Sequence, residues 1–219
     1  MKTAVIFDLD GTLLNTLEDL KDSTNYALQK FGFPQRTLDE VRSFVGNGLR
    51  MLIVRAVPAG TEDAVIDAVL QTMKLHYAEN YHNKTRPYDG IEALLMRLKA
   101  EGYPMAIVSN KADLVVALLR KLYFDTLIPV AVGETEGVLR KPAPDMVLAA
   151  LQRLGSTADD AIYLGDSEVD LQTARNSGLP CATVGWGFRT EAELRAAGAQ
   201  TIYHSPEALG KALLDGSIQ

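Results

Sequence analysis

The chain has 219 residues, 47% of them apolar and 23% charged, which is the balance of a soluble globular protein with room for one large domain or a core plus a modest second domain. A formal net charge of −6 argues against nucleic acid or an anionic membrane surface as the main partner, since both need basic patches. One cysteine, Cys181, excludes an intrachain disulfide, no segment reaches membrane-spanning length, and the first apolar run is too short for a signal peptide, so a cytoplasmic location is expected.

Residues 3–8 read as a strand, apolar on consecutive positions as strands covered on both faces are. Residues 15–86 carry no strand signal. Leu17, Leu20, Ala27, Leu28 and Phe31 recur near helical spacing up to Gly32, Thr37 with Glu40 forms a capping box, and Val65, Ile66, Val69, Leu70 and Met73 line one face of a longer helix. From Asp89 onward, strands at 105–109, 128–132, 161–165, 182–184 and 201–203 alternate with helices. Those helices open at Asp89 with Glu92, at Pro144, at Ser167, at Thr190 with Glu193 and at Ser205-Pro206, and close at Gly102, Gly155, Gly178 and Gly198. Cys181 sits in an apolar run and reads as a small buried hydrophobe, and His76, His82 and His204 are too scattered for a zinc site.

Strand–helix alternation of this kind gives an α/β fold with a doubly wound parallel sheet. The helical stretch interrupts it after the first strand, so residues 1–14 with 87–219 are expected to form the α/β core and residues 15–86 an inserted all-helical cap. Ligands of such sheets sit at the carboxyl ends of the strands, and an insertion there suggests a lid.

Four segments carry chemistry. Asp8-Leu9-Asp10-Gly11-Thr12 ends the first strand with two carboxylates that period two puts on one side, an arrangement suited to a hard cation such as Mg²⁺ or to a solvated strand end. Gly165-Asp166-Ser167-Glu168-Val169-Asp170 ends another strand in acids, with Asp170 one helical turn after Asp166; Asp170 also suits a first-turn acid favoured by the helix dipole. Ser109-Asn110-Lys111 closes a strand before a helix, where Ser109 either caps that helix or binds a phosphate beside its N-terminus. Lys141 precedes a Pro-initiated helix, and Pro142 fixes the backbone that aims it.

Taken in this order, the four segments resemble the haloacid dehalogenase superfamily, with its D-x-D-G-T, strand-end Ser/Thr, Lys-Pro and G-D-x-x-x-D signatures, and the resemblance covers essentially the whole chain. Gly46-Asn47-Gly48, Pro87-Tyr88-Asp89-Gly90, the run 165–175 and Trp186-Gly187-Phe188 look most like its phosphoglycolate phosphatase branch, although Asn15-Thr16 stands where that branch often has Asp-Ser. The resemblance implies an Mg²⁺-dependent phosphatase acting on a small phosphorylated metabolite, with 2-phosphoglycolate the leading candidate. Asp8 is then the nucleophile that forms an aspartyl-phosphate, and Asp10 the general acid and base. Asp8, the Asp10 backbone carbonyl and Asp166 would hold the metal, with Asp170 ordering those ligands. Ser109, Asn110 and Lys141 would bind the phosphate, and Thr12 would support Asp10 or its loop. Arg42, Asn47 and Arg50 in the cap, and Lys84 at its edge, are candidates for selecting the substrate. A sugar-phosphate mutase shares all of these motifs. A phospho-acceptor signalling module shares the strand-end acid but is shorter and lacks the insertion. Either a monomer or a homodimer is compatible with the sequence.

Overall fold

The computed structural model describes residues 3–218. The chain divides into two compact units, one made by the segments ending at Leu14 and beginning at Pro87, the other the insertion Asn15–Arg86.

The first unit is built on a six-stranded sheet. Its strands are β1 (Ala4–Phe7), β4 (Met105–Ala112), β5 (Val130–Glu134), β6 (Ala161–Gly165), β7 (Cys181–Val184) and β8 (Ile202–Tyr203), in the spatial order β5-β4-β1-β6-β7-β8. Every recorded pairing within it is parallel. β2 (Leu14–Asn15) and β3 (Arg86–Pro87) are two-residue strands that carry the chain out to the insertion and back. The crossovers are α5 (Ile91–Ala100), α6 (Asp113–Phe124), α7 (Asp145–Leu154), α8 (Glu168–Ser177) and α9 (Glu191–Ala196), and α10 (Pro206–Asp215) follows the last strand. β1 and β6 are buried along their whole length, as the unbroken apolar runs require. Alternation sends Ala4, Ile6, Ala106, Val108, Ala161 and Tyr163 to one face, where they pack on Met146, Val147, Ala150 and Leu151 of α7.

Helix ends follow their sequence signals with two exceptions. Ser167 and Thr190 make capping boxes with Asp170 and Glu193, Ser205 caps α10, and Gly155 and Gly178 end α7 and α8 in the left-handed conformation. The Asp89–Glu92 cap does not form. Gly90, at φ +87°, makes the turn with its backbone and α5 starts at Ile91 without a side-chain cap. Ser109 does not cap a helix either, because β4 runs on beside β5 to Ala112, paired with Glu134 across a register shift, and α6 starts only at Asp113. Cys181 is half-buried rather than fully buried, at the start of β7.

The second unit is four helices: α1 (Leu17–Lys30), α2 (Leu38–Phe44), α3 (Gly48–Ala56) and α4 (Asp63–Asn80). α1 packs on α4, and the two helices bury Leu20, Ala27 and Leu28 and Ile66, Val69, Leu70, Met73 and Tyr77 respectively; Val65 stays half-buried and Tyr77 extends the stripe by a turn. The Thr37–Glu40 capping box opens α2 as the sequence predicts. Buried Asp19 on α1 accepts hydrogen bonds from the backbone N–H groups of Lys84 and Thr85 and from the Thr85 hydroxyl, at 2.8–3.0 Å, and so fastens the returning chain.

Candidate active site

Register sets the site. Phe7 lies opposite Ile107 of β4 and Leu164 of β6, so Asp8, just past the end of β1, stands beside Ser109, inside the longer β4, and Asp166, just past the end of β6. The Asp8 N–H donates to the Leu164 carbonyl at 2.8 Å, extending the pairing by one residue. Gly11 then turns at φ +94°, and a Cβ there would stand 2.3 Å from Oδ2 of Asp166. Only glycine satisfies both constraints. At Gly165 a Cβ would come 2.2 Å from Cβ of Asp170, so both acids of the second segment are pressed against glycine backbone.

Asp8, Asp166 and Asp170 are all buried, and each offers a carboxylate oxygen within 4.8 Å of the others. Lys141 Nζ donates to Asp8 Oδ1 at 2.6 Å, to Asp170 Oδ1 at 2.8 Å and to the Tyr163 hydroxyl at 2.9 Å. Tyr163 donates in turn to Asp170 Oδ1 at 3.0 Å, and Ser167 donates to Asp170 Oδ2 from its N–H at 3.1 Å and from its hydroxyl at 2.6 Å. Asp166 accepts from the Phe188 N–H at 2.7 Å and from the Thr12 hydroxyl at 3.3 Å. Thr12 thus supports Asp166, and its carbonyl accepts the Trp186 indole N–H at 3.0 Å.

Asp10 stands beside a second lysine. Lys111 Nζ is 3.0 Å from Asp10 Oδ1, and the Ser109 hydroxyl donates to Oδ2 at 3.4 Å. Asn110 donates its amide to the Lys141 carbonyl at 3.0 Å and ties the two loops together. Asp8, Asp10, Thr12, Ser109, Asn110, Lys141, Asp166 and Asp170 therefore lie in one connected cluster of the sheet unit. Arg42, Asn47 and Arg50 belong to the helical unit. Arg42 pairs with Asp39 at 3.1 Å, Arg50 with Asp63 at 2.8 Å and Asp67 at 3.2 Å, and Asn47 accepts from Arg55 at 2.8 Å.

Sequence reasoning missed Tyr163, Lys111 and the 186–188 loop as parts of this cluster. A phenol inside the apolar run of β6 was the available signal for Tyr163. For Lys111 it was a cation two residues after Ser109 at the end of an apolar strand run.

The cluster is short of positive charge. Burial, together with the Asp170, Asp166 and Asp10 carboxylates, holds Asp8 well above the usual carboxylate range despite Lys141. Asp166 is pushed up to about 7 by burial and by Asp170, against the Phe188 N–H and Arg189. Burial alone would lower the Lys141 ammonium, but Asp170 and Asp8 outweigh it and hold it well above the ordinary lysine range. One ammonium shared by two carboxylates cannot neutralise both. A buried all-oxygen donor set with excess negative charge fits a hard divalent cation.

Residues 5–184 match the model of the haloacid dehalogenase-like hydrolases. The chain belongs to that family. A phosphoglycolate phosphatase of Mesorhizobium japonicum is 34% identical over 188 residues, spanning 84% of this chain and 83% of the relative. One of Xanthomonas campestris pv. campestris is 34% identical over 187 residues, spanning 85% and 84%. A crystal structure of a Lactobacillus delbrueckii subsp. bulgaricus protein, assigned as a phosphoglycolate phosphatase, superposes with a TM-score of 0.93 at 35% identity, covering 97% of this chain and 99% of that one. Within the haloacid dehalogenase-like hydrolases the chain is a phosphoric monoester hydrolase. No helix among the described residues is long and apolar enough to cross a membrane.

Proposed function

We propose that this haloacid dehalogenase-like phosphatase is Mg²⁺-dependent and hydrolyses 2-phosphoglycolate or a close analogue through an aspartyl-phosphate on Asp8. The observation that carries the reading is the Lys141 ammonium held between Asp8 and Asp170 beside Asp166, a buried site whose unbalanced negative charge calls for a metal. The names of the relatives support the substrate.

Asp8 attacks phosphorus with a carboxylate oxygen, and the ester oxygen leaves with the electron pair of the P–O bond. Asp10, on the adjacent loop, gives that oxygen its proton and then takes one from the water that opens the acyl phosphate, a role worth on the order of 10²–10⁴ in rate. Lys141 and the Ser109 hydroxyl supply positive charge and a hydrogen bond to the phosphoryl oxygens. Asp8, the Asp10 carbonyl and Asp166 would hold Mg²⁺, which supplies charge neutralisation to an anionic reaction, while Asp170 orders Lys141 and Ser167 around them. Residues 15–86, which leave the sheet unit immediately after the Asp8–Thr12 loop, are proposed to act as the substrate-selecting cap on that catalytic core.

Phosphate release from a panel of phosphomonoesters, with Mg²⁺ and with EDTA, tests the reading beside Asp8→Asn. Metal-dependent release that disappears in the variant is expected, with 2-phosphoglycolate giving the highest kcat/KM. No release from any ester, with isomerisation of a sugar phosphate instead, would transfer the chain to the mutases.

A further inference from the structure

We infer that Lys111 binds the carboxylate of the leaving group, so that the preferred substrates are phosphate esters of short α-hydroxy carboxylic acids. The inference rests on the phosphatase reading above and on the place it gives Asp10 at the ester oxygen.

Geometry supplies the argument. An acid that protonates the ester oxygen must come within roughly 2.6–3.2 Å of it. Lys111 Nζ is 3.0 Å from Oδ1 of that acid, Asp10. In a phosphorylated α-hydroxy acid the carboxyl carbon stands two bonds, roughly 2.5 Å, from the ester oxygen. A carboxylate so placed can come within salt-bridge reach of the Lys111 ammonium, on the side of the ester away from phosphorus. β4 sets the same order along its edge. Ser109 and Lys111, two residues apart, both reach the Asp10 carboxylate, and the Lys111 N–H donates to the Ser109 hydroxyl at 3.2 Å. A phosphoryl group at Ser109, an ester oxygen at Asp10 and a carboxylate at Lys111 then follow one another along the strand end.

Burial separates Lys111 from the cations that the sequence offered for this task. Its side chain is 4% exposed, against 43% for Arg50 and 47% for Lys84. Arg50 is shared by Asp63 and Asp67, and Lys84 is paired with Asp22 at 2.7 Å. Lys111 is itself paired with Asp10, so the difference is burial: an ion pair at an exposed cation contributes little, whereas a water-excluded ammonium discriminates strongly between a carboxylate and a methyl group.

The test is kcat/KM for 2-phosphoglycolate and for ethyl phosphate, which carries a methyl group in place of the carboxylate, in the full-length protein with Mg²⁺. The native enzyme is expected to prefer 2-phosphoglycolate, Lys111→Met to lower that preference at least about 30-fold, mainly through KM, and Lys111→Arg to keep most of it. An equal loss on both esters in Lys111→Met would overturn the inference and leave Lys111 as a partner of Asp10 alone. Hydrolysis of neither ester by the native enzyme would instead sink the phosphatase reading. Should Lys111→Met fail to fold, inhibition of the native enzyme by glycolate and by glycolamide decides the matter: much stronger inhibition by glycolate supports the carboxylate site, and equal inhibition rejects it.

Discussion

Lys141 Nζ lies 2.6 Å from Oδ1 of Asp8, and the same nitrogen reaches Asp170 at 2.8 Å, so one buried ammonium serves the proposed nucleophile and the acid that caps α8. Lys141→Met removes the cation and strands those carboxylates in a water-poor site. A fall in kcat of about 10²-fold or more is expected. In the metal-free protein the same change should cost about 3–5 kcal/mol, less to the extent that an acid takes up a proton. Phosphate release and urea unfolding, each with EDTA and with Mg²⁺, measure both effects. A loss of stability with undiminished kcat would reduce Lys141 to a structural ion pair.

Asp10 contributes to the proposed metal site through its backbone carbonyl and to the reaction through its carboxyl group. Asp10→Asn keeps the first and removes the second. Turnover is expected to fall roughly 10²–10⁴-fold while the Mg²⁺ concentration for half-maximal thermal stabilisation stays within a few-fold of the native value. Full activity in the variant would end the acid–base assignment.

The parallel core was legible because β1 and β6 are unbroken apolar runs and the helices carry explicit caps, such as Ser167 with Asp170 and Thr190 with Glu193. Strand ends were less legible. Nothing local in Ser109-Asn110-Lys111 says that β4 continues to Ala112; the pairing of Ala112 with Glu134 decides it, and that contact is remote in sequence. The acids of the site announce themselves by lying at strand ends next to Gly11 and Gly165. Their supports do not: Tyr163 reads as core, and the Phe188 N–H that holds Asp166 belongs to a loop with no charge pattern of its own. Charges in the helical unit were visible, but not that Arg50 would be occupied by Asp63 and Asp67.

The charge imbalance at the site predicts an unusual pH dependence for the metal-free protein. Asp166 rises from 3.8 to about 7 on folding, so between those values the folded state holds more protons than the unfolded chain. Its contribution is fully present below the unfolded value and fades as pH climbs toward 7. A rise of that size corresponds to on the order of 4 kcal/mol lost across the window, and Asp8 acts in the same direction. Urea unfolding in EDTA should therefore give lower stability at pH 8 than at pH 5. Mg²⁺ favours the ionised carboxylates and should flatten the slope, as should Asp166→Asn. Stability that rises over this range in EDTA would contradict the assignment.

Tyr163 joins the packing of the sheet to the chemistry at its edge. Its ring is buried against α7, while its hydroxyl donates to Asp170 at 3.0 Å and accepts from Lys141 at 2.9 Å. Tyr163→Phe keeps the ring and deletes both bonds. Asp170 retains Ser167 and Lys141, so the cost in stability should be only about 1–2 kcal/mol. Lys141, however, loses the neutral partner that fixes its direction between two carboxylates. We expect kcat to fall about tenfold with little change in KM, since Ser109 and Asn110 are untouched, the Lys141 charge remains, and the defect lies in how Lys141 holds the nucleophile. Steady-state kinetics at saturating Mg²⁺, compared with urea unfolding, separates the two contributions. Native kcat in a variant destabilised by that amount would confine Tyr163 to the core, and a rise in KM alone would place its influence on substrate binding rather than on the Asp8–Lys141 pair.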